Sequence, residues 1–196
     1  MKLSNIVHLT VFAVLLLIQW PSVVFADDSQ QRIDAELANK AEAIVPLKSV
    51  LGEKKFNEAM ASRKYMYMGN LKCRLCHKEF FVGRKQDAHD HAFEELVEKG
   101  YSKNPKCLGC HTTGFGVSRG FVSIETTPRL ANVQCEGCHG PGNQHMMRDK
   151  KGGLLVGTDK PRLLKKMCKT CHTERWNRSF EKLHDVFDKY KKPKPQ

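Results

Sequence analysis

The amino-acid sequence predicts a mainly α protein with little regular secondary structure, organised around something other than a large apolar interior. Three observations lead there. All eight cysteines fall in four clusters of one form, C-x-x-C-H, written "CRLCH", "CLGCH", "CEGCH" and "CKTCH". Their first cysteines stand at 73, 107, 135 and 168, so a cluster recurs every 28 to 34 residues, leaving room between for short helices and turns. The apolar patterns that do occur between them have helical spacing and stop at Gly or Pro.

Taken in order along the chain, residues 1–26 read as a secretory leader. Lys2 precedes the apolar run Leu9 to Ile18, and Val24-x-Ala26 suits a signal peptidase, which predicts cleavage near Ala26 and an exported mature chain of 27–196. Gln19 and Pro21 interrupt a run already marginal for spanning a bilayer, so no stable membrane span is expected in the mature chain. The first cysteine is Cys73, far from the leader, which argues against a lipid anchor. Residues 27–64 form a helical amino-terminal segment, with two helices separated at Pro46. "QDAHDHAFEELVEKG" predicts one helix ending near Gly100, its apolar stripe running through Ala88, Ala92, Phe93, Leu96 and Val97. "GFGVSRGFVSIET" is a candidate for a small hairpin. "SFEKLHDVFDKY" is helical, with Phe180, Leu183 and Phe187 on one face. The cluster-bearing domain is placed at 65–190, and 191–196, "KKPKPQ", reads as a basic disordered tail.

C-x-x-C-H is the attachment signal for c-type haem. Two thiols three positions apart reach the two vinyl groups on one porphyrin edge, and the next residue turns its imidazole onto the iron. Cys73, Cys76, Cys107, Cys110, Cys135, Cys138, Cys168 and Cys171 are therefore expected to bind four haem c groups covalently. His77, His111, His139 and His172 supply the proximal iron ligands. Zinc is the rival reading, but a histidine directly after the second cysteine cannot easily join its neighbours around a tetrahedral ion. A disulfide framework has no use for a histidine after each pair. The fold class becomes a multihaem cytochrome c fold whose core is formed largely by four covalently attached haems.

Haem also accounts for the charge. The full chain carries +12, and loss of the leader removes one lysine. Two propionates on each of four haems contribute about −8 when ionised. Scattered lysines on an exported chain do not suggest nucleic acid.

Each iron has a sixth position, and whether it is filled separates an electron carrier from a catalyst. The histidines outside the motifs in the mature chain are His89, His91, His145 and His184. His89 lies on the apolar stripe, four residues before Phe93. His91 falls about 200° further round the helix with Glu94, Glu95 and Glu98, so one helix cannot show both rings to one haem. His184 shares a face with Phe180, Leu183 and Phe187. His145 follows the Gly140-Pro141-Gly142 break, and six residues make an awkward path around a porphyrin edge. It is expected to cap a neighbouring haem rather than the one held by His139. His89, His145 and His184 are thus the distal candidates and His91 a weaker one. Met66, Met68, Met146 and Met147 are read as packing.

From about Tyr67 to His184 the sequence resembles the tetrahaem cytochrome c-554 family. The resemblance rests on "YMGNLKCRLCHKEF", on "AHDHAFEEL" with its first histidine twelve residues after that of the first motif, on "CLGCHTTGFG", and on "VQCEGCHGPG" with His145 close behind. It implies an all-helical, haem-packed fold with closely stacked haem pairs, exported, passing electrons between redox proteins by transient docking. It also implies distal roles for His89 and His145, and that the haem of the second motif can lack a distal ligand. The shorter carboxy-terminal region departs from the family's best-known member, so the last distal ligand is not carried over. Three functions follow as expectations: an electron-transfer protein without catalytic residues, a haem enzyme reducing a small nitrogen-oxide ligand at a five-coordinate iron on His111, or a subunit of a cytochrome filament.

Overall fold

The computed structural model describes Arg32 and residues 44–82, 87–147 and 161–176. The leader, His184 and the tail 191–196 lie outside the described residues. The helices of the described residues are α1 (Lys48–Leu51), α2 (Glu53–Ala61), α3 (Asn70–Cys73), α4 (Lys78–Val82), α5 (Ala92–Glu98), α6 (Pro105–His111), α7 (Cys135–His139) and α8 (Pro161–Cys168). Single 3-10 turns occur at Ala88–His91 and Pro128–Leu130. Among the described residues there is no strand, only an isolated antiparallel bridge between Thr112 and Ala131. None of these helices is long and apolar enough to cross a membrane.

Three local expectations are corrected. After Pro46 the chain makes two short helices rather than one, because Gly52, at φ 85°, stands between α1 and α2 in a conformation that no L side chain adopts easily. The expected helix ending near Gly100 is divided at His91, whose φ of −122° leaves the helical region. The next amide but one, Phe93 N–H, donates to Asn132 Oδ1 at 2.7 Å instead of to a preceding carbonyl. The buried stripe narrows to Ala92, Phe93 and Leu96, with Val97 55% exposed. The hairpin expected in 114–126 is a looped turn. Gly114, Gly116 and Arg119 all have positive φ, which extended strands exclude, and Phe121 N–H closes the loop onto the Thr113 carbonyl at 3.0 Å.

The described chain buries an apolar cluster of its own. Phe93 and Phe115 each meet Phe121, with ring centroids 5.6 and 6.5 Å apart. Leu96, Leu108, Leu130, Tyr67 and, from the amino-terminal helices, Leu47, Phe56 and Met60 complete it. Burial of this kind contributes about 25 cal/mol per Å² of apolar surface. It fixes the amino-terminal helices and the loops between motifs to one another, so the motifs are held on a frame that their own one-turn helices could not provide.

Thr113 is the polar centre of that frame and is fully buried. Its N–H donates to the Leu130 carbonyl and its hydroxyl to the Asn132 carbonyl, while the same hydroxyl accepts from Gln134 N–H. The second residue after the second motif is thereby tied to the residues just before the third.

Candidate haem-attachment sites

Every motif is a single helical turn. In α6 and α7 the five residues are wholly helical, and in the first and fourth motifs the turn continues past the helix end through His77 N–H to the Cys73 carbonyl and His172 N–H to the Cys168 carbonyl. Residues i, i+3 and i+4 of a helix share a face, so each turn presents its two sulfurs and its imidazole to the same side. Local sequence explains the turns. Asn104 caps α6, its side chain accepting from Lys106 N–H, with Pro105 at the first helical position. Gly140, at φ 88°, and Pro141 stop α7 immediately after His139.

The structure brings imidazoles of different segments close together in pairs. The rings of His77 and His145 have centroids 6.2 Å apart and planes within 18° of parallel. Those of His89 and His172 are 5.8 Å apart with planes at 70°. A histidine–metal bond of about 2 Å, plus about 1 Å from nitrogen to ring centre on each side, separates two rings on opposite faces of one ion by roughly 6 Å. His145 thus lies opposite the first motif, and His89 opposite the fourth.

The sulfurs also meet in pairs from different motifs. Cys73 lies beside Cys135, and Cys110 beside Cys171. Contact with Cys135, then burial, pushes the Cys73 thiol up; contact with Cys110, then burial, does the same to Cys171. Burial, and then His89, pushes His172 down, favouring the neutral imidazole that binds metal.

Neighbouring groups orient the rings. His111 Nδ1 lies 2.6 Å from the Ala92 carbonyl, which makes Nδ1 the protonated nitrogen and leaves Nε2 its lone pair. Buried Asp87 accepts from His89 N–H at 3.1 Å and places Oδ1 3.5 Å from His89 Nδ1. The His89 carbonyl accepts from Val133 N–H, anchoring the 3-10 turn beside the third motif. Asp87 was not singled out from sequence, and Ala92 was read only as part of the apolar stripe. An aspartate two positions before a histidine is a helix-capping signal that could have marked the first, whereas a backbone carbonyl leaves none.

The remaining candidates are placed as follows. His91 is exposed, its Nδ1 4.0 Å from Glu94. Among the described residues no second imidazole faces His111. Met146 and Met147 are exposed, while Met66 and Met68 are partly buried. His184, outside the described residues, is not placed.

These sites fit haem. The donor chemistry is thiol pairs for vinyl groups, oriented imidazoles for iron, and opposed rings at the spacing of a six-coordinate centre. A buried phenol, Tyr67, additionally has a hydroxyl with no partner in the protein. Among the described residues no three His, Cys, Asp or Glu side chains converge as a tetrahedral zinc site requires. Helical turns of this composition define the class of c-type cytochromes, in which haem c is bound covalently.

Comparison with known proteins narrows the class. Residues 72–140 match the family described as cytochrome c554 and c-prime. Cytochrome c-554 of Nitrosomonas europaea is 32% identical over 134 residues, an alignment covering 54% of this chain and 57% of that relative. Through this region the chain is similar to the cytochrome c-554 family, and it spans somewhat over half the length of that relative. No solved structure matches it.

Proposed function

We propose that the chain is an exported, periplasmic tetrahaem c-type cytochrome that passes electrons between redox proteins docking transiently. The observation that carries this reading is the pair of facing imidazoles, His77 with His145 and His89 with His172. Rings on both sides of an iron leave no position for a substrate. When bound, haem supplies a one-electron ferric/ferrous couple. The protein's part is to hold sulfurs and rings rigidly, so that little rearranges on electron transfer. The adjacent sulfurs of Cys73 and Cys135, and of Cys110 and Cys171, support two close haem pairs, first with third and second with fourth. His139 is the proximal ligand of the third haem, and His184 its candidate partner. The domain limits at 27–64 and 65–190 and cleavage near Ala26 belong to the same proposal.

The test is expression with a cytochrome c maturation system. The expected product is red, has the mass of the mature chain plus four haems, and cycles reversibly between ferric and ferrous forms with redox mediators. Bare polypeptide mass would overturn the proposal. One observation favours a second reading for the second site: among the described residues His111 is faced by no other imidazole. An iron held by His111 alone would be five-coordinate and open to nitric oxide. A high-spin signal that shifts on adding nitric oxide supports that site, and uniformly low-spin iron excludes it.

A further inference from the structure

We propose that Glu136 is the positioning residue of the first haem site, joining the two segments that set His77 opposite His145 and placing a fixed negative charge beside the first and third attachment sulfurs. This rests on the haem reading above.

Glu136 is the first intervening residue of the third motif and is only 2% exposed. Among the described residues no basic side chain pairs with it. Its carboxylate is held by backbone amides instead. Met68 N–H donates to Oε1 at 2.9 Å and Oε2 at 2.8 Å, Gly69 N–H to Oε2 at 2.6 Å, and Gly142 N–H to Oε1 at 2.7 Å. A buried carboxylate persists only when such charge-assisted bonds replace its hydration.

The donors identify its task. Met68 and Gly69 lead directly into α3, which carries Cys73 and, a turn later, His77. Gly142 stands three residues before His145. The two sides of the first iron site therefore meet at one side chain, which itself belongs to the third motif. Neighbouring amides reinforce the junction: Gln134 Oε1 accepts from Asn70 N–H at 2.7 Å, Asn70 Oδ1 from Cys135 N–H at 3.1 Å, and Asn143 Oδ1 from Met66 N–H at 2.8 Å. None of these carries charge. The charge of Glu136 is felt nearby: burial first, and then Glu136, pushes the Tyr67 phenol up.

Two consequences follow. In a low-dielectric interior a fixed anion favours ferric over ferrous iron, so Glu136 lowers the potential of the haem beside it. As a clasp it also keeps His145 in place. Glutamine is nearly isosteric, but it removes the charge and turns an NH2 toward an amide N–H.

The test uses the holoprotein as Glu136→Gln, Glu136→Asp and His145→Ala, with haem content measured by mass. Each is titrated potentiometrically while electron paramagnetic resonance follows the individual low-spin irons. His145→Ala marks the component belonging to the first site. In Glu136→Gln that component is expected to shift to more positive potential and lose part of its low-spin intensity, while the His89/His172 component keeps its potential and shape. Glu136→Asp, which retains the charge, is expected to shift it less, and carries the same comparison if the glutamine variant fails to mature. An unmoved first component, equal movement of both components, or a larger shift in aspartate than in glutamine would overturn the proposal. Absence of haem from the wild-type protein would instead defeat the underlying reading.

Discussion

Replacing His145 with alanine takes away the ring opposite His77 and leaves every cysteine in place. The structure says what should be lost. In a ferric iron with two imidazoles, near-parallel ring planes split the d orbitals unequally and give a rhombic low-spin signal; crossed planes leave two orbitals nearly degenerate and give a strongly anisotropic one. The 18° between His77 and His145 belongs to the first type, and the 70° between His89 and His172 to the second. With four C-x-x-C-H motifs in the chain, each component should account for about a quarter of the iron. Spin quantitation of oxidised His145→Ala should show the rhombic quarter converted to high-spin iron, with the anisotropic quarter intact. His89→Ala should do the reverse. Added imidazole should restore the rhombic component by entering the space left by the ring. Loss of the same component in both variants, or of neither, would refute the assignment of His145 to the first motif and His89 to the fourth.

Other perturbations test the frame. Phe121→Ala opens a cavity between Phe93 and Phe115 and should cost about 3–5 kcal/mol in a denaturant titration of the holoprotein. Gly120→Ala would put a Cβ 1.8 Å from the Gly114 carbonyl oxygen, so the loop must open, at about 1–3 kcal/mol or more by the same titration. Lys99→Ala removes the partner that, chiefly by hydrogen bonding, holds Glu95 below the usual carboxylate range. A depressed carboxylate adds stability above its unfolded value that is lost as pH falls, so the variant should lose a small acid-side dependence. Both groups are exposed and screened, so the loss at neutral pH should be no more than a small drop in melting temperature.

The helical turn of each C-x-x-C-H motif was legible because its geometry is local. Two sulfurs and an imidazole need to lie on one helical turn, and one turn is five letters of sequence. The Gly-Pro-Gly break after His139 was equally readable, since it forces the chain away and directs His145 to another site. Which site it reaches depends on contacts between Glu136 and Met68 or Asn143 and Met66, far apart in sequence, and no periodicity encodes those. The single helix expected around His89 failed for a related reason: Asn132, remote in the chain, competes successfully for the Phe93 amide. The hairpin failed because glycine-rich loops and hairpin turns use similar letters, and only the positive φ of Arg119 and its neighbouring glycines distinguishes them here.

The clasp between the segment before Cys73 and the loop after His139 also bears on the order of assembly. During synthesis the first motif emerges well before the chain that supplies the ring opposite its histidine. A haem attached there would have one face uncovered until the third motif had been made and its glutamate had captured Met68 and Gly69. Maturation at the first position can begin early but finishes late, and the third position sets the time.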